Sequence, residues 1–212
     1  MTSKERYKNI LNWFSKNMPI VSTELNFSTE FQLIVAVILS AQCTDKRVNL
    51  ITPSLFSKYP DAKTMSKAEE KDIFEYIKSC TYPNSKAKYI REMSKIIFEK
   101  YNGKIPTTTE ELQKLPGVGR KTANVFVAVL FREPKMPVDT HVFRVSKRLG
   151  LVNENSNLLQ TELELEKNIP AQVIPDAHHW FILHGRYVCT ARNPKCKECG
   201  LKTWCKTSSA LL

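Results

Sequence analysis

Apolar residues along this chain recur at helical spacing and almost nowhere alternate as a strand would require. Tyr7, Ile10, Leu11 and Phe14 fall at i, i+3, i+4 and i+7, the stripe of a helix with one buried face. The stretch from Phe31 to Leu39 is apolar nearly all round, which suits a helix enclosed by a core. Ile73, Phe74 and Ile77 make a further stripe, and Ile90, Met93, Ile97 and Phe98 another. Val142, Val145 and Leu149 line a helix that Gly150 can end. Thr108 and Glu111 have the spacing of a capping box, and 177–187 reads as the last long helix. With only six glycines, no internal repeat and no flexible linker, the expected fold is all-α with short connections. A chain of 212 residues can form one large domain or two small ones. It needs neither a disulfide nor a metal merely to build a core.

The net charge is +11, and a globular chain this basic points to a polyanionic partner, nucleic acid ahead of an anionic membrane, unless solubility alone sets the balance. The longest apolar stretch, Leu33 to Leu39, is far short of the roughly 20 residues that a bilayer needs. The N-terminal segment is amphipathic and lacks the apolar core of a secretory signal. The expectation is a cytoplasmic protein, nucleoid-associated if bacterial, with no membrane contact. Its six cysteines are then thiols or ligands rather than disulfides.

Two of the glycines sit in Leu115-Pro116-Gly117-Val118-Gly119, between a capped helix and a helical run over Thr122 to Phe131. Glycines at this spacing let backbone approach another molecule closely, and the helix that follows opens with outward-pointing N–H groups. Taken alone, such a turn is only a tight connection. Followed at once by Arg120-Lys121 in a strongly basic chain, it points to a grip on the DNA backbone.

Cys189, Cys196, Cys199 and Cys205 lie within one short C-terminal run, with gaps of six, two and five residues. Four thiolates can hold a tetrahedral zinc or an iron–sulfur cluster. Only the middle pair has knuckle spacing, which favours a cluster over zinc, while unliganded thiols remain open. Cys43 and Cys80 lie far from this run and read as thiols of the fold. His178, His179 and His184 share one helix and suit packing or hydrogen bonding. Lys121, at the start of the helix after the hairpin, and Asp139, 18 residues on, are the residues whose chemistry could act on a sugar. Judged singly, such a lysine is usually solvated, and such an aspartate is usually a helix cap.

The hairpin resembles the helix-hairpin-helix of DNA repair glycosylases. Leu39-Ser40-Ala41-Gln42-Cys43-Thr44-Asp45 is similar to a segment of that family, Pro137-Val138-Asp139-Thr140-His141-Val142-Phe143-Arg144-Val145 to its aspartate loop, and the cysteine run to its cluster loop. The likeness covers nearly the whole chain and implies the branch that joins base excision to abasic-site lyase activity. It implies a central helical domain over 22–134, with 1–21 and 135–212 forming a discontinuous 4Fe–4S cluster domain. Lys121 would attack C1′ of the sugar and hold it as a Schiff base, with Asp139 assisting and the strand cut by β-elimination. The four cysteines would hold the cluster. Gly117, Val118, Gly119, Arg120, His141 and Arg144 would contact DNA. Gln42 would point toward the base left orphaned when a damaged one is flipped out. Tyr82 falls where the family commonly carries an inserting leucine, a departure that bears on opposite-base preference. The implied partner is duplex DNA with oxidised pyrimidines or abasic sites, met by a monomer. Two rivals stand beside this reading: a non-catalytic helix-hairpin-helix DNA-binding module, and a monofunctional mismatch glycosylase on the same fold.

Overall fold

The computed structural model describes residues 1–207, which are helical with no strand among them. They form two compact units, Glu24–Leu130 and Met1–Thr23 with Phe131–Leu212, of which the last five residues lie outside the described part.

Helix α1 (Ser3–Asn17) belongs to the second unit. It starts at a full capping box, in which Thr2 accepts from Glu5 N and the Glu5 carboxylate accepts from Thr2 N. In the unit Glu24–Leu130, α2 (Glu30–Ser40) is the central helix. Every residue from Leu33 to Leu39 is buried, as expected of a run that is apolar on all sides. Around it come α3 (Asp45–Lys58), α4 (Ala62–Ser66), α5 (Glu70–Ile77), α6 (Pro83–Lys100), the single-turn α7 (Thr109–Leu112) and α8 (Arg120–Phe131), with α6 packed on both α4 and α5. Helix α6 buries Ile90, Met93 and Ile97, but Phe98 lies at the edge of the stripe and is 37% exposed. Thr108 caps α7 through Glu111 N, yet the reciprocal half of the expected box is missing. The Glu111 carboxylate accepts from Tyr101 OH at 2.7 Å and pairs with Lys114 instead.

The other unit continues with α9 (Thr140–Leu149), α10 (Leu158–Asn168), α11 (Ile174–Tyr187) and the cysteine loop. Its core forms around Phe14. That ring stacks on Trp180 at 5.6 Å and meets Phe181 and His184 edge-on at 5.8 and 5.5 Å. Burial draws the His184 pKa down to about 4, so this imidazole is a neutral packing group. Gly150 ends α9 in the left-handed region at φ 73°.

Candidate functional site

The hairpin is built from the inside out. Val118 is buried and anchors the turn, and its N–H donates to Leu115 O at 3.1 Å. Gly117 has φ +78°, and a Cβ there would come within 2.9 Å of the Tyr89 Cβ on α6, so conformation and packing both require glycine. Nothing lies within 4 Å of where a Cβ would stand at Gly119, which leaves that face of the backbone open to an incoming group. Helix α8 begins immediately afterwards, with Arg120 and then Lys121, both exposed, on its first turn. A helix start reached through open glycine backbone suits a phosphate.

Gln42 and Tyr82 are 40 positions apart in sequence, and the fold brings their loops together. Gln42 follows the end of α2, and Tyr82 is the N-cap residue of α6 without a side-chain cap bond. Thr81 Oγ1 donates to Gln42 O at 2.7 Å. Both residues occupy the left-handed region at φ 55°, a conformation that costs a non-glycine residue energy and recurs at functional sites. Both side chains face outward, with Tyr82 62% exposed although it is a large aromatic.

Sequence reasoning missed Lys86. Only 5% exposed, it extends its ammonium to the end of α2 and donates to Leu39 O at 2.8 Å and Ala41 O at 2.7 Å. These are carbonyls that a helix end leaves without partners, and a cation there also suits the helix dipole. A signal was available: Lys86, Ile90, Met93 and Ile97 share one α6 stripe, so the lysine occupies a core position. Lys86→Met keeps the aliphatic stem but orphans two carbonyls. It is expected to lower unfolding stability by about 1.5–3 kcal/mol, measured by urea denaturation; an unchanged midpoint would remove the capping role.

Asp139 is the N-cap of α9, and its Oδ1 accepts from Val142 N at 2.7 Å, which fixes the carboxylate at the helix start. His141 lies in the first turn of α9 and Arg144 about one turn further on. The Arg144 guanidinium donates to Cys189 O at 3.1 Å, Thr140 O at 3.3 Å and Gly185 O at 2.8 Å, and lies 3.2 Å from His141 Nδ1. It therefore ties α9 to α11 and to the cysteine loop.

Cys189, Cys196, Cys199 and Cys205 line one cavity of about 370 Å³, its open mouth included, together with Leu149, Val188 and Pro194. None of the four is in a disulfide. Among the described residues no group of three or more His, Cys, Asp or Glu is placed to hold a metal ion. Four thiols lining one cavity fit an all-thiolate cluster, which takes one sulfur at each corner. Arg148 Nη1 donates to Cys189 Sγ at 3.6 Å and to Thr190 O at 2.7 Å, supplying positive charge beside a ligand sulfur. A Cβ on Gly200 would come within 2.4 Å of the Trp13 ring of α1, so the loop passes directly under that indole.

The family described as HhH-GPD superfamily base excision DNA repair protein matches residues 35–171, and the iron-sulfur binding domain of endonuclease III matches 189–205. The chain is 49% identical over 197 residues to endonuclease III of Rickettsia felis, covering 93% of this chain and 92% of that protein. It is 45% identical over 188 residues to endonuclease III of Bacillus subtilis, covering 89% and 86%. Among solved structures, a trapped covalent endonuclease III–DNA intermediate, an estranged-adenine complex, superposes with a TM-score of 0.94 at 40% identity, covering 100% of this chain and 99% of that one.

Proposed function

The chain belongs to the endonuclease III family of helix-hairpin-helix base excision DNA repair proteins, and from that premise we propose that it excises oxidised pyrimidines from duplex DNA through a Schiff base on Lys121. Membership makes it a DNA glycosylase with lyase activity that carries a 4Fe–4S cluster. The substrate class, the chemical roles of single residues and action as a monomer are the proposed part.

The observation that carries the reading is the exposed Lys121 on the first turn of α8, directly behind the glycine hairpin. Hairpin backbone and helix start hold a phosphate, while the lysine amine attacks C1′ and the N-glycosidic bond breaks. The base leaves with the bonding electrons and takes up a proton. Opening of the sugar ring at the C1′–O4′ bond then gives the iminium, whose C2′ proton is acidified; at a preformed abasic site, amine addition and loss of water reach the same species. Removal of that proton expels the 3′ phosphate and cuts the strand. Asp139 supplies the carboxylate that stabilises the cationic sugar and relays protons. The cluster, when bound, cross-links the cysteine loop, and its chemistry here is structural. Borohydride reduction in the presence of abasic duplex is the test: an irreversible protein–DNA adduct is expected. Without an adduct, the chain would be a monofunctional enzyme or a plain binding module.

Gln42 and Tyr82 fill the gap left by the flipped base, and their shared strained backbone supports a role that fixes both side chains in the outward direction. Tyr82 stacks on a neighbouring base, an interaction of about 1–3 kcal/mol. Tyr82→Ala should slow excision from duplex DNA more than cleavage at a preformed abasic site, which is easier to extrude. Tyr82→Leu should restore most of the loss. Unchanged single-turnover excision in Tyr82→Ala would assign the gap-filling to another residue.

A further inference from the structure

Cys43 and Cys80 are 37 positions apart, yet their sulfurs stand 3.6 Å from each other. Each lies on one of the two loops that carry the outward residues: Cys43 directly follows Gln42, and Cys80 stands two positions before Tyr82. The 2.7 Å bond from Thr81 to Gln42 O keeps the two backbones side by side at this point. The two thiols differ in access. Cys43 is half-buried, whereas Cys80 is 4% exposed. Burial pushes the Cys80 thiol up to about 11, opposed by the positive charges of Lys86 and Arg47. An accessible thiol with a buried partner thiol within reach is the arrangement of an attacking and a resolving cysteine. Neither belongs to the set that lines the cluster cavity.

We infer that Cys43 and Cys80 form a reversible modification site, closed to a disulfide by exchange with a low-molecular-weight disulfide. The Cys43 thiolate attacks one sulfur of the small disulfide, whose S–S bond breaks, releasing one small thiol and leaving a mixed disulfide on Cys43. Cys80 gives up its proton and attacks Cys43 Sγ, expelling the second small thiol. Two protein thiols are oxidised to one disulfide, and the small disulfide is reduced to two thiols. Closing the pair shortens the sulfur separation from 3.6 Å to about 2.05 Å. It also ties together covalently two loops that hydrogen bonds otherwise join. The oxidised protein thereby loses the freedom to seat Gln42 and Tyr82 around a duplex. This effect on repair rests on the proposed function, while the covalent chemistry does not.

The test uses the cluster-loaded protein in glutathione buffers of graded oxidised fraction, with visible absorption followed to verify that the cluster stays intact. Free thiols are alkylated, the chain is digested without reduction, and the peptides are weighed. The expected result is a Cys43–Cys80 linked peptide that rises with the oxidised fraction and vanishes with dithiothreitol. Base excision should fall severalfold in the oxidised protein and recover on reduction. Cys80→Ser should stop at the glutathione adduct on Cys43, and Cys43→Ser should form neither product. Both variants should have the parent's basal excision rate in reducing buffer. Recovery of Cys43 and Cys80 as alkylated thiols across the whole series overturns the site. A linked peptide with unchanged excision overturns its control of repair. A fully reduced parent without excision activity counts against the proposed function alone, because the linked peptide is scored independently.

Discussion

On the proposed mechanism, replacing Lys121 with Gln is expected to abolish strand cleavage and borohydride trapping while leaving the fold untouched. The side chain is exposed at the start of α8, where a swap of similar length changes stability by no more than about 0.5 kcal/mol. What disappears is the amine, and with it the covalent route. A loss of at least about a thousandfold is expected, equivalent to roughly 4 kcal/mol of barrier. Binding to undamaged duplex should weaken only modestly, because the hairpin backbone and many other cations remain. Single-turnover cleavage of abasic duplex and gel-resolved trapping are the measurements. Unchanged trapping in Lys121→Gln would move the nucleophile to another lysine.

The second large effect is expected at Cys199. The parent protein should be yellow-brown and contain both iron and sulfide. Cys199→Ser should lose most of the iron and much of the soluble yield. The loop from Cys189 to Cys205 has only a single 3-10 turn, Cys196–Glu198, as regular structure, so few backbone bonds hold it without its ligand. Cluster binding is therefore part of the folding free energy of this segment. Leu201, fully buried, and the Gly200 passage beneath Trp13 connect the loop to the core around Phe14, so the loss should also lower the melting temperature of the whole chain. Iron and sulfide analysis after anaerobic purification decides the matter, and zinc in place of iron would sink the assignment.

Most of the helices were legible because each carries its own periodicity, whereas α3, α4 and α10 were not singled out. The all-round apolar run of α2 is buried on every side, and the stripe of α9 ends at Gly150 in the conformation that only glycine adopts cheaply. The cysteine set was legible from spacing, since its members lie close in sequence. Contacts made across many positions were not. Lys86 sits in a local sequence that looks like solvated surface, and only its place in the α6 stripe hints at the carbonyls of α2 above it. The Cys43–Cys80 approach has no local pattern at all, because it is set by how the end of α2 meets the turn before α6. Glu111 illustrates competition: its spacing fits a capping box, but Tyr101 and Lys114 offer the carboxylate better partners. Arg144 stands among the expected DNA contacts, and its donation to three carbonyls of its own chain had no local signal in the sequence.

Helix α6 carries Tyr82 at its first end and, seven residues later, Tyr89, on which Gly117 of the hairpin sits. At about 1.5 Å of rise per residue this is a span of roughly 10 Å, close to three base-pair steps of about 3.4 Å along one strand. On the proposed reading, the helix serves as a measuring rod between the place where the hairpin grips backbone and the place where Tyr82 probes the stack. Its length belongs to the protein and is independent of the bases passing by. On the proposed reading, the search for damage can then run at a constant offset along any sequence, with the nucleotide to be tested defined by distance from a held phosphate rather than by its neighbours.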